Sequence, residues 1–176
     1  MKQIGNRWNG AWSVAMAAGS LLFAAIYFVL SGMTEHLKSI GLANRFNFIS
    51  FANKYAPISK HPEAFTVALA AALLASMVLG TVIGCQLQMN REGIRRFTER
   101  SPRYLKLLAW VCLPGLLVLP FIPLAPYDGR LPHDRWTASI LSSDLGTALF
   151  IGVMHSGYLV FYMVCVLVVR YFFARS

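Results

Sequence analysis

Hydrophobic residues are concentrated in four long runs, 11–31, 65–85, 107–124 and 145–169, and every Asp, Glu, Lys and Arg falls outside them. At a rise of about 1.5 Å per residue, helices over the first, second and fourth runs reach across a hydrocarbon core of about 30 Å, and the third, at about 27 Å, is within the range of spanning lengths. The pattern predicts an all-α, polytopic membrane protein: four transmembrane helices in one bundle spanning residues 1–176. The first run follows two cations, Lys2 and Arg7, in the manner of a secretory signal. It is longer than a signal's apolar region and reads as an uncleaved first helix.

Small residues recur within the runs at helical spacing. Ala68, Ala72, Ser76, Gly80 and Gly84 stand at unbroken i+4 intervals, making one whole face of the second helix small; Ala11, Ala15 and Gly19 repeat the pattern in the first, and Ala148, Gly152 and Ser156 in the fourth. Lipid tails are as apolar as leucine, so helices in a bilayer associate by close packing, which small faces permit. The second helix is therefore expected at the centre of the bundle. Pro114, Pro120 and Pro123, with Gly115, interrupt the third run and predict a kink. His155, Tyr158 and Tyr162 give the fourth run a polar face. An ionisable residue at membrane depth is a functional candidate, and for His155 a structural hydrogen bond and a partner contact both stay open.

The stretch Gln86 to Lys106 carries Arg91, Arg95, Arg96, Arg100, Arg103 and Lys106 against Glu92 and Glu99. Short cation-rich loops stay on the cytoplasmic side, which predicts that this loop and both termini are cytoplasmic. Ten of the sixteen cations then face inward, and Lys38, Arg45, Lys54, Lys60, Arg130 and Arg135 face outward. The first outer stretch, Gly32 to Pro62, interleaves Leu37, Ile40, Phe46, Phe48, Ile49, Phe51 and Tyr55 with cations, which suits a segment lying in the membrane interface. The second, Ala125 to Gly146, holds Asp128, Arg130, His133, Asp134, Arg135 and Asp144, expected to form a solvated turn with local ion pairs. Ser142, Ser143 and Asp144 are placed to cap the fourth helix.

Composition agrees with the pattern. The chain is 57% hydrophobic and 13% charged, with a mean hydropathy of +0.56, which excludes a soluble domain with a polar shell. The net charge of +9 is assigned to topology and lipid headgroups, and no nucleic-acid partner is expected. Cys85, Cys112 and Cys165 show no metal or disulfide spacing. No nucleophile–base spacing, paired metal-binding histidine or phosphate-binding glycine loop accompanies the acids, so no catalytic residue, metal, cofactor or small-molecule substrate is expected.

Length, layout and several stretches resemble the immunity proteins of pore-forming bacteriocins, the group protecting against colicins of the A and B type. The stretches are a polar outer segment with Gly129 and Arg130, then SSDLGTALFIGVMHSGYLVFYM, then the close VVRYFFARS. The first outer loop, with Ser, Asn, Lys and Pro before the second helix, adds to the likeness. The resemblance implies a protein of the bacterial inner membrane that binds an inserted pore-forming toxin and stops channel opening, without chemistry. On that reading Arg130, Asp134, Arg135, Asp144, His155 and Tyr158 contact the partner, and Ala68, Ala72, Ser76, Gly80, Gly84 and Gly152 pack helices together. The rival expectation is an accessory or assembly subunit of a larger bacterial membrane complex, held by the same small faces.

Overall fold

The computed structural model describes residues 4–86, 121 and 124–173, with side chains from 13 to 167. The expected basic loop beyond Gln86 and most of the third run, 107–124, lie outside the described residues, as do the side chains of the C-terminal anchor. Every regular element described is helical: α1 (Ile4–Gly32), α2 (Thr34–Ile40), a 3-10 turn (Leu42–Phe46), α3 (Ser50–Tyr55), a second 3-10 turn (Ala56–Ile58), α4 (Pro62–Gln86), α5 (Pro132–Leu141) and α6 (Asp144–Phe173). Three of them, α1, α4 and α6, are long and apolar enough to cross a membrane.

The most extensive interface joins α4 to α6, and α1 lies along their flank. The burial follows from residue size. Ala68, Ala72, Ser76, Gly80 and Gly84 are all buried on α4, so nothing longer than a methyl or hydroxymethyl group separates the backbones. Buried residues make up 44% and 39% of the most apolar windows of α4 and α6 but 11% of that of α1, which makes α1 peripheral.

The stretch between α1 and α4 folds over one end of the bundle, called here the loop end. Gly41 ends α2 with a positive φ of 61° and its N–H donates to the Lys38 carbonyl, a conformation that a side chain disfavours. The chain thereby turns back, and Leu37, Ile49, Ala52 and Tyr55 enter the core beside Tyr27 and Phe65. Ile40 and Phe48 stay outward, 52% and 53% exposed. The stretch thus keeps part of its apolar side on the surface and buries the rest as a cap on the core. At the start of α6, Ser143 Oγ accepts from the Gly146 N–H at 3.0 Å, so the cap falls to the second of the expected residues.

Candidate functional site

Two polar clusters and one groove carry the chemistry of the described residues. The first cluster is a pair of latches at the loop end. Asp134, on the inner face of α5, has no exposed surface. It receives the Lys54 ammonium at 2.9 Å, the Tyr55 hydroxyl at 3.1 Å and the Asp128 N–H at 2.9 Å, with His133 Nε2 at 3.3 Å. These donors favour the ionised form; the Asp128 N–H first, then Lys54 and Tyr55, hold the carboxyl down at about 2. Lys54 is raised by its bond to Asp134, and Tyr55 is raised mainly by burial. In the second latch Asp144 holds Lys60 at 2.5 Å, Tyr27 at 3.3 Å and His61 at 3.4 Å. One aspartate therefore ties α3 to α5, and the other ties α1 and the entry of α4 to α6.

This arrangement corrects the expectation of a solvated turn at Asp134, whose carboxylate is enclosed and saturated with donors. The sequence had no local signal for it, because Lys54 and Tyr55 stand about eighty positions away. Among the candidate partner residues, Arg130 and Arg135 are exposed, Asp144 is partly buried and Asp134 is enclosed.

The second cluster lies at the junction of the three long helices. His155 is eleven residues into α6, about 17 Å along its axis and so near the middle of a span. Its side chain is fully buried. Ser76 Oγ lies 2.8 Å from His155 Nδ1, 2.6 Å from the Ala72 carbonyl and 2.9 Å from the His155 carbonyl. One hydroxyl proton serves one acceptor, so the network is satisfied when Nδ1–H donates to Ser76 and Ser76 donates to a carbonyl. Nε2 is then left with no hydrogen-bond partner. It points at Gly19, where a Cβ would come within 2.2 Å, and Phe23 tilts against the ring with centroids 4.7 Å apart. Gly19 is in the expected small stripe of α1, but its role beneath an imidazole was not legible from spacing. Tyr158, the remaining candidate, is half-buried one turn on, its ring 6.4 Å from that of Tyr162.

The groove runs between α1 and α6, away from α4. Its volume is about 360 Å³ and its walls include Ser20, Leu21, Leu149, Gly152, Val153 and Gly157. At its base Ser20 Oγ lies 2.5 Å from Ser156 Oγ, 2.8 Å from the Met16 carbonyl and 2.9 Å from the Gly152 carbonyl; its one proton goes to a carbonyl and it accepts from Ser156. Gly152 is tight, its would-be Cβ 3.0 Å from the Ser20 carbonyl, whereas a Cβ at Gly157 would meet nothing within 4 Å. Leu21, Leu149 and Val153 are 73%, 58% and 69% exposed, so the groove opens outward along an apolar surface. Phe121 sits elsewhere, against Phe48, Leu73, Leu74, Met77 and Tyr162.

No three His, Cys, Asp or Glu residues converge as metal ligands among the described residues. Compared with protein-family models, curated proteins and solved structures, the chain matches none.

Proposed function

We propose that this chain is a four-span protein of the bacterial inner membrane, with both termini cytoplasmic, that binds a pore-forming toxin sideways within the bilayer and keeps its channel closed. The observation that carries the reading is the outward-opening α1–α6 groove, apolar at its rim and small at its floor. A toxin channel is assembled from hydrophobic helices, and a groove floored by Gly152, Ser156 and Gly157 admits such a helix to close approach. The four-span count has its own support. The α4 helix delivers the chain at Gln86, far from the loop end, while Phe121 is back beside Phe48. A fourth span over the apolar run 107–124 is consistent with that return.

Recognition by shape in the membrane needs selection elsewhere, because apolar surfaces discriminate poorly. The exposed Arg130 and Arg135, carried on a segment braced by the Asp134 latch, supply polar groups for that purpose.

The test is protection. A sensitive bacterium expressing the chain and exposed to the toxin encoded beside its gene should retain its membrane potential while the toxin still reaches the membrane. Gly157→Leu adds bulk to the lining of the groove at a position where a Cβ meets nothing within 4 Å, so it should abolish protection at an unchanged protein level. Full protection by that variant would remove the groove from the reaction. Failure of the unaltered chain to protect, together with co-purification in a stable membrane complex, would turn the reading to an accessory subunit.

A further inference from the structure

The cations at the loop end divide by residue type. Each of the three lysines has a carboxylate of the same chain: Lys38 with Glu35 at 3.1 Å, Lys54 with Asp134 at 2.9 Å and Lys60 with Asp144 at 2.5 Å. Among the described residues no carboxylate pairs with the side chain of Arg45, Arg130 or Arg135, all three of which are exposed. Asp128, the acid nearest Arg130 in sequence, accepts that residue's backbone N–H at 2.9 Å. Folding therefore neutralises the lysines and leaves three guanidinium groups directed outward.

Two of the three are close in sequence to exposed aromatic residues. Arg45 is three residues before Phe48, which is 53% exposed, and Arg135 adjoins Trp136, which at 68% is among the most exposed large side chains. Asp134, Thr137 and Leu141 are the buried residues of α5, so Arg135 and Trp136 lie on its outward side. The latch between Lys60 and Asp144, at the starts of α4 and α6, marks the polar limit of the apolar spans. Arg130 and Arg135 belong to the segment that leads into α6, on the polar side of that limit; Arg45 is exposed in the turn before Phe48, which reaches deeper, to Leu73 and Met77.

We propose that Arg45, Arg130 and Arg135 hold the phosphate groups of anionic phospholipids around the loop end, with Trp136 seated in the layer beneath and Phe48 deeper, beside the apolar part of α4. A guanidinium matches phosphate in a bidentate fork and is more weakly hydrated than an ammonium, so it is the cation suited to this contact. Aromatic residues with an apolar body settle at the membrane–water boundary. An acidic protein surface would account for the arginines but would leave Phe48, Ile40 and Trp136 facing water. A headgroup layer accommodates both. This inference does not rest on the groove, but it gives Arg130 and Arg135 to lipid where the proposed function gives them to the toxin, and the lipid preference measured below separates the two uses.

The experiment uses the purified full chain in nanodiscs of phosphatidylcholine with increasing phosphatidylglycerol, reading retained lipid by native mass spectrometry. The unaltered protein should retain phosphatidylglycerol in preference to phosphatidylcholine. In R45Q/R130Q/R135Q that preference should fall by about fivefold per arginine removed. Lys38→Gln, which breaks only an exposed local pair, should retain the preference. Should the triple variant unfold, Arg45→Gln and Arg135→Gln made singly give the same reading, each with the single-residue loss. Equal retention of phosphatidylglycerol by the variants and the unaltered chain would overturn the proposal and direct the arginines to a protein. Inorganic phosphate that stabilises the detergent-solubilised chain as well as phosphatidylglycerol does would also overturn it, since the site would then take the free ion.

Discussion

The seam between α4 and α6 and the seam between α1 and α6 are made from the same kinds of residue and end in different states. On the first, a Cβ at Gly80 would come 2.7 Å from the Leu159 carbonyl and 2.8 Å from Tyr162 Cβ, and one at Gly84 would come 2.8 Å from Val166 Cβ. Backbone and Cβ atoms fill the space completely. On the second, Gly152 touches Ser20, but the neighbouring Gly157 faces open space and the helices splay into a groove. The closed seam is held by contact along its length and by the Ser76–His155 bond, the open one by the packing of Gly19 and Phe23 on His155 and by polar ties, Ser20 with Ser156 and Gly152, and Tyr27 with Asp144. A small-residue face thus permits close approach, and what faces it decides whether the approach occurs.

The strongest way to break this comparison is Gly80→Leu. Overpacking a filled interior costs about 1–3 kcal/mol for modest insertions, and backbone atoms cannot move aside as a side chain can. The largest drop in melting temperature in detergent is expected here. Val78→Leu, on a residue 62% exposed, serves as the control and should stay within about 0.5 kcal/mol of the unaltered protein. Equal tolerance of both changes would mean that the seam is not closed.

Next in size is the contact between α1 and His155. Gly19→Ala drives a methyl into Nε2 and should destabilise the fold, whereas the same change in a His155→Ala background should cost little. The coupling in this double-mutant cycle is expected at about 1–2 kcal/mol. Additive effects would show that α1 does not rest on the imidazole.

A smaller effect concerns the loop end, which bridges both seams. Asp134 is held at about 2 against an ordinary value of 3.8, so its folded-state pKa is depressed. Its contribution to stability is complete above the unfolded value and is lost as pH falls through the folded one. The latch should therefore be constant from pH 5 upward and weaken from about pH 4 toward pH 2. Asp134→Asn should lower the melting temperature at neutral pH and flatten that acid limb. An unchanged acid limb in the variant would assign it to other carboxylates.

The smallest expected effect on stability is at the open seam. Gly157→Leu should remain within about 0.5 kcal/mol of the unaltered protein, because a Cβ there meets nothing within 4 Å. A large loss would show that the groove is filled in the folded protein.

Much of the architecture was readable along the chain. The apolar runs 11–31, 65–85 and 145–169 correspond to α1, α4 and α6, and the i+4 stripe on α4 coincides with its buried face. The candidate site was readable only in part. His155 was visible as a polar group at membrane depth, but its partner Ser76 had been read merely as one small residue in a stripe. Asp134 and Asp144 looked like surface acids, since nothing near them in sequence declares Lys54, Tyr55, Lys60 or Tyr27 as their partners. Gly157 lies outside the i+4 register of Ala148, Gly152 and Ser156, so no repeat drew notice to it.

The division has a physical basis. Helix length, hydrophobicity and side-chain size are local properties, so the sequence by itself determined that three helices can span a membrane and that α4 has a face with almost no side chains. Which faces meet depends on how helices far apart in the chain cross. Only the tertiary structure decided that Gly80 lies under the Leu159 carbonyl while Gly157 opens on a groove, and that Gly19 lies beneath His155. The same holds for charge: a lysine and an aspartate eighty positions apart pair because folding removes both from water together, and that desolvation makes the partner obligatory.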